Sequence, residues 1–471
     1  MTTQIQTSQF QFMFPFMLKE HVNGRMEKHL LQNGFEFFQL KNFEQEDKFY
    51  GGNVVSHRSL EKYFLPNIER ILFPISMKEE RALRRFTKVI DLSCELTSKF
   101  IQIPFKIPSF DIIICPFQIG IMNIRVDLPK GISLSDSLQF GSEFRMMEPL
   151  VDDDPHSKIT NDHYVYHNVK DFIFEQLCKG IREYINEKNE ISPYFGSLPY
   201  FMDERMYVIG YLNMEDDSHI SSTDLFRIGH LSGYDSNKKP IVGAKNPEYI
   251  KRYYENNVYD RWADETFFVV SDYTFSCATN SKDENLHKML ANAMNGNHYY
   301  SILLYYYYKI VLMKLTHEQS TLQIDKDEDK IEGLIKDITE FSSGYYFPEV
   351  NSSTIGKEIF RMVKDVYHID YLLDHVKTTL ETLYQNHEKI VSKRDNYLLQ
   401  ILTIYTVISG IYGMNLVIQD WDKALKWDQI LSYSFFEWIA LIIGISGITI
   451  GTLLGFFALK NWLKEMMKKR R

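Results

Sequence analysis

The run FFEWIALIIGISGITIGTLLGFFAL at 435–459 constrains this chain more than any other feature, because it carries a single charge, Glu437, near its start. About 20 apolar residues in a helix cross a bilayer core, so this run is expected to be a spanning helix. Its glycines Gly447, Gly451 and Gly455 recur at steps of four. Small residues at that spacing let two helices approach closely in lipid; without a packing partner they only add flexibility.

A second segment, YLLQILTIYTVISGIYGM at 397–414, is shorter, more polar and uncharged. It is expected to be a first span, 397–415, because a turn signal and the second span follow it. Asn396, Gln400, Thr403, Thr406 and Gly410 recur at steps of three and four, which is one face of a helix. A polar stripe of that kind faces water or protein rather than lipid, so it reads as a pore lining or as an interhelix hydrogen-bonding seam. The basic tail 460–471, with Lys464, Lys468 and Lys469, is expected on the cytoplasmic side, and with two spans the N-terminus lies there too. The expected placement is a multi-pass protein of the cell (inner or plasma) membrane, with 416–434 as the outer loop.

Ahead of the first span, 346–396 is expected to be a stalk helix. Val366, Ile369, Leu373, Val376, Leu380, Leu383, Ile390 and Tyr397 alternate at steps of three and four, with His387 and Arg394 in two of the apolar slots. Joined to the first span this gives one helix of about 60 residues, roughly 90 Å long. A two-helix hairpin cannot enclose a pore alone, so a pore requires a ring of copies.

Leu402-Thr403-Ile404 followed by Gly410-Ile411-Tyr412-Gly413-Met414-Asn415, with the preceding long helix, the second span and the basic tail, resembles the CorA family of divalent-cation channels. The likeness covers about 355–471. It implies a homopentamer in a lipid bilayer, with Asn415 side chains and Gly413 carbonyls around a hydrated divalent ion and Met414 between them. It also implies that Lys464, Lys468 and Lys469 ring the cytosolic end. A ring of neutral oxygens suits Mg²⁺, which gives up its water reluctantly. Only Tyr405 to Ser409 intervene between the two parts of the motif, fewer residues than in the family.

Residues 1–345 are expected to form a cytosolic α/β domain. Strand-like runs lie at 10–18, 35–40, 111–114, 119–126, 206–212 and 266–270, and helical stretches at 78–100, 169–186 and 291–315. The Tyr305 to Tyr308 run reads as part of a buried helix. The acidic stretch 325–340 reads as a solvated helix end or, by the resemblance, a Mg²⁺ sensor. Asp152, Asp153, Asp154, His156, Asp162, His163 and His167 lack a fixed metal-ligand spacing and read as a polar loop.

The net charge of −9 argues against nucleic acid as a partner. Four dispersed cysteines, Cys94, Cys115, Cys178 and Cys277, fit idle thiols in a reducing compartment, and no cleaved signal peptide is expected at the N-terminus. No catalytic constellation is visible, so no enzyme is expected. The sequence therefore leads to a divalent-cation (Mg²⁺-class) membrane channel gated by its cytosolic domain. The alternative is a membrane effector of antiviral (type III CRISPR) defence with a regulatory nucleotide, since CorA-like proteins with enlarged cytosolic domains resemble this chain.

Overall fold

The computed structural model describes residues 4–149, 156–186, 205–215, 219–323, 327–416, 433–439, 441–442, 445–446, 449, 453 and 456. The chain divides into two compact units, Met1–Leu380 and Glu381–Arg471.

In the first unit the chain begins with β1 (Gln4–Met17), α1 (Asn23–Gln32), β2 (Glu36–Phe37), α2 (His57–Tyr63) and α3 (Pro66–Leu72). Three long strands follow, β3 (Arg84–Thr97), β4 (Gln102–Cys115) and β5 (Ile119–Leu128), then β6 (Ile132–Ser133) and α4 (Leu134–Phe144). Next come β7 (Lys158–Thr160), β8 (Val165–Tyr166), α5 (Val169–Phe172), β9 (Tyr207–Met214), α6 (Ser222–His230) and α7 (Pro247–Asn257). The hairpins of β10 (Val258–Ala263), β11 (Thr266–Val270) and β12 (Thr274–Thr279) lead into α8 (Glu284–Asn295) and α9 (Asn297–Thr321). Finally come α10 (Glu328–Gly344), α11 (Thr354–Val366) and α12 (Ile369–Leu416), which runs on into the second unit.

Among the described residues the strands form one 12-stranded sheet in the order β10-β11-β12-β9-β1-β5-β4-β3-β7-β8, with β2 on β3 and β6 on β1. Among the described strands only the β12–β9 pairing is parallel. Strand side chains alternate between faces, and β1 shows the consequence. Phe10, Phe12, Phe14 and Phe16 all point to one face and are buried. There they meet α4, with Phe12 4.7 Å from Phe144 and Phe105 5.2 Å from Phe140 between ring centroids. Gln9, Gln11 and Met13 take the other face, beneath α8 and α9. Pro15 lies past the last pair with β9, Met13↔Tyr207, where β1 keeps only β5 as a neighbour, the kind of place where a missing N–H is tolerated.

The helix α9 is buried on every side from His298 to Tyr308. Tyr299 to Tyr308 are all buried, the four consecutive tyrosines Tyr305 to Tyr308 among them, and that buried helix is as the sequence suggests. Behind it lie α10 and α11, through Tyr308 on Phe341 (5.8 Å) and Tyr305 stacked on Phe360 (5.9 Å). By contrast, 78–100, expected helical, is mostly strand β3. Its Arg84-Arg85-Phe86-Thr87 start is buried on both faces, and alternation appears only further on. The stretch 169–186 breaks into a short helix, a π-turn and a 3₁₀-turn, while 291–315 is cut at Gly296.

The membrane expectation is corrected. Among the described residues, no helix is long and apolar enough to cross a membrane. In α12 the described apolar side chains after Asn396 are interrupted by Gln400, Thr403 and Thr406. The fold class of an α/β domain with two C-terminal transmembrane helices, the channel architecture and the multi-pass membrane placement are therefore not carried forward. The heptad seam is changed as well: Ile369, Leu373, Val376 and Leu383 are already buried within the single chain.

Gly120 is paired with Phe16 across β1 and β5, and a Cβ there would lie 2.3 Å from that ring. Gly24, in α1, has nothing within 4 Å of a built Cβ. Chemical denaturation is expected to show Gly120→Ala less stable by about 1–3 kcal/mol, an overpacking cost, and Gly24→Ala unchanged or more stable by about 0.5–1 kcal/mol.

Candidate functional site

On the sheet face beneath α9 lies a row of polar side chains in an otherwise apolar setting. The registers Thr87↔Asp111, Asp111↔Asn123 and Gln11↔Arg125 bring β3, β4, β5 and β1 into line, so side chains distant in sequence share one face. At the centre is Asp111, fully buried. Arg85 Nη2 donates to its Oδ1 at 3.1 Å, and Arg125 Nη1 lies 2.8 Å from its Oδ2. Asn123 Nδ2 (3.3 Å) and the Tyr299 hydroxyl (3.2 Å) also donate to Oδ2.

Four aromatic rings close around the arginines. The Arg85 guanidinium lies 4.6 Å from the Phe38 ring centroid and 5.7 Å from that of Tyr300, and donates to the Tyr50 hydroxyl at 3.2 Å and to the Tyr300 hydroxyl. Arg125 lies 5.4 Å from Tyr50 and 5.2 Å from Tyr299, close enough for cation–π attraction. Gln11 Nε2 ties the row to the end of α8 through the Met294 carbonyl at 2.8 Å.

The electrostatics follow from burial. Desolvation pushes the Asp111 carboxyl up, but Arg125, Arg85 and the hydrogen bonds outweigh it and hold the carboxyl below its usual range. Burial lowers the affinity of Arg85 for its proton, yet Asp111 and the tyrosine oxygens raise it well above the ordinary value. Burial pushes the hydroxyls of Tyr299 and Tyr300 up, so both stay protonated. His57, buried edge-on to Phe38, is pushed down to about 4 by desolvation and by Arg85. The group thus holds two guanidinium ions and one carboxylate, and an aspartate is what keeps both arginines inside.

Beside this centre the surface is notched by a cleft of about 660 Å³ between 39–42, α3 and 73–79. Lys41, Arg70, Glu69 and Glu79 bring charge to its wall, and Phe73, Pro74 and Ile75 bring apolar surface. Glu79 Oε1 is engaged with the backbone N–H groups of Ile75 and Ser76, each at 3.1 Å. The Phe73 ring meets Tyr300 at 4.7 Å, so the cleft is one ring away from Arg85.

The residues singled out from the sequence lie elsewhere. Asn396, Gln400, Thr403, Thr406 and Gly410 are exposed along α12. Thr403 and Thr406 spend their hydroxyls on Leu399 and Leu402 carbonyls one turn back, both at 2.7 Å. Gly413, Met414 and Asn415 are helical in backbone, and their side chains lie outside the described residues, as do Gly447, Gly451, Gly455, Lys464, Lys468 and Lys469. Asp152, Asp153 and Asp154 also lie outside them. Among the described residues, no group of three or more His, Cys, Asp or Glu side chains is placed to hold a metal ion. All four cysteines are free and buried. The Arg85–Asp111–Arg125 group was missed from the sequence, although charged residues inside the strongly apolar runs 110–115 and 119–128 were the available signal.

No family model matches this chain, and no curated protein and no solved structure matches it either.

Replacing Asp111 by Asn leaves two buried guanidinium ions without their carboxylate, and denaturant unfolding is expected to show a loss of about 3–5 kcal/mol. His298 provides a pH test. It is 2 % exposed, packed among Trp262, Phe268, Phe275 and Phe360, with neither ring nitrogen bonded. Burial pushes its imidazole down to about 3. The unfolded imidazole takes a proton near pH 6.5 and the folded one only near 3, so stability falls as pH drops between those values. Thermal unfolding of His298→Met across that window is expected to show a shallower pH dependence than the parent.

Proposed function

We propose that this chain is a ligand-responsive regulatory protein, in which the first unit binds a nucleotide-class small molecule and α12 carries the response. The observation that carries this reading is the cleft whose floor, Phe73, packs directly on Tyr300 of α9. Its volume, about 660 Å³, falls within the range of small-molecule sites. Lys41 and Arg70 suit phosphate oxygens, and Phe73, Pro74 and Ile75 suit a flat apolar base.

A path for the response exists in packed side chains. Tyr300 and Tyr306 stand on the same helix, and Tyr306 meets Tyr367 at 6.5 Å. Two residues later α12 begins at Ile369, itself fully buried. Tyr346 and Lys364 both bond Asp370, at 2.9 and 2.7 Å, in the first turn of α12. A ligand acts through such a path only if it binds one arrangement more tightly than the other. Cation conduction rested on the membrane hairpin and forms no part of this proposal.

Self-association is the second part of the reading. Tyr397, Leu398, Leu399, Ile401, Ile404 and Val407 of α12 are between 56 and 66 % exposed, an apolar surface of the kind that contacts between subunits cover. A homo-oligomer joined along α12 is the expected assembled form.

Titration calorimetry of the full chain with ATP and AMP, and with pyrophosphate alone, tests the site. Nucleotide binding is expected, weakened at least tenfold by Arg70→Ala with the unfolding temperature unchanged, and hydrogen exchange across 369–380 is expected to change on binding. Absence of heat with every nucleotide, or equal affinity in Arg70→Ala, contradicts the reading. Sedimentation that finds only monomers across a hundredfold range of concentration contradicts the oligomer.

A further inference from the structure

The buried arginines make unequal use of their hydrogen-bonding edges. Arg125, 2 % exposed, spends Nη1 on Asp111 and on the Ser109 hydroxyl at 3.2 Å. Its Nε and Nη2 have no partner. These two N–H groups form the parallel fork that guanidinium presents to anions. Leaving them unbonded inside a protein is costly.

Arg125 lines a small cavity of about 10 Å³ with Gln9, Tyr50, Asn53, Asp127 and Asn295, room for one water-sized particle. Tyr50 and Asn53, the two ends of a tight turn, are on its wall. Gly51 and Gly52 adopt φ of +62° and +92°, and a Cβ on Gly51 would stand 3.0 Å from Pro108. The glycines thus let the backbone lie close over the strands.

The charge balance favours an anion in this cavity. Arg85 and Arg125 share one carboxylate, so this dry group carries a surplus positive charge. Asp127 stands on the same wall, but its Oδ1 accepts from Gln9 Nε2 at 3.0 Å, and burial raises its carboxyl above the usual range. Gln9 Oε1, also without a partner, is an acceptor beside the cavity. A water would donate to it, which makes water the competing occupant.

We propose that the Nε and Nη2 fork of Arg125 holds a single small anion of halide size, chloride being the abundant one, in the cavity between Gln9, Tyr50 and Asn53. This site is separate from the Phe73 cleft and does not depend on nucleotide binding. The anion completes the neutralisation that Asp111 begins.

The probe is bromide, used on the full chain. Thermal unfolding is compared in sodium bromide, sodium chloride and sodium gluconate at equal ionic strength, and crystals grown in bromide are measured at the bromine edge. The expected result is a higher midpoint in both halides than in gluconate, and an anomalous peak within hydrogen-bond distance of Arg125 Nε and Nη2. Gln9→Leu, which fills the cavity and leaves the Arg125–Asp111 pair intact, is expected to lose the halide effect. Equal midpoints in halide and gluconate with no bromide peak at Arg125 assign the place to water and overturn the proposal. A halide effect that persists in Gln9→Leu, or a peak without any effect on stability (an adventitious ion only), overturns it as well.

Discussion

The fold of the first unit depends on one carboxylate. Asp111 sits at zero exposure between Arg85 and Arg125, where an unpaired guanidinium would cost several kcal/mol. Because each arginine comes from a different strand, the pairings also fix the register of β3, β4 and β5. A slip of one residue would turn Asp111 to the phenylalanine face and leave both arginines alone. Tyr299 and Tyr300 extend the same constraint to α9. The buried ions thus specify how helix and sheet meet, while the stabilisation comes chiefly from the apolar surface around them.

The two faces of the sheet divide the work. One carries the ladder of Phe10, Phe12, Phe14 and Phe16, with Phe12 packed on Phe144 of α4. The other carries hydrogen bonds and charge, and on that side the cleft floor, α9 and the start of α12 lie in series through Phe73, Tyr300, Tyr306 and Tyr367. Aromatic packing of this kind changes between discrete arrangements rather than bending smoothly. That property suits a receptor whose signal leaves through a helix.

Some of this was legible in the sequence. The alternation in the FQFMFPF run announces β1, and 266–270 coincides with β11. The tyrosine run reads as a buried helix and is one. Other parts were hidden for physical reasons. Strand β3 carries Arg84 and Arg85 at its start because one bonds Glu27 and the other Asp111 on opposite faces, and such partners cannot be seen from spacing. Asp111 and Arg125 meet only through antiparallel register, which sequence separation conceals. The apolar stretch 435–459 spoke most loudly for a bilayer, yet hydropathy alone does not say what covers an apolar helix, and no described helix is long and apolar enough to cross a membrane. The polar stripe from Asn396 to Gly410 is real as a helix face and is exposed along α12.

The dependence on Asp111 is tested most directly by a double-mutant cycle between Asp111→Asn and Arg125→Gln, read by chemical denaturation. If the two groups hold each other in place, the double variant loses far less than the sum of the single losses, with a coupling of about 2–3 kcal/mol. Losses that simply add would show that the buried pair does not anchor the sheet, and would contradict the account.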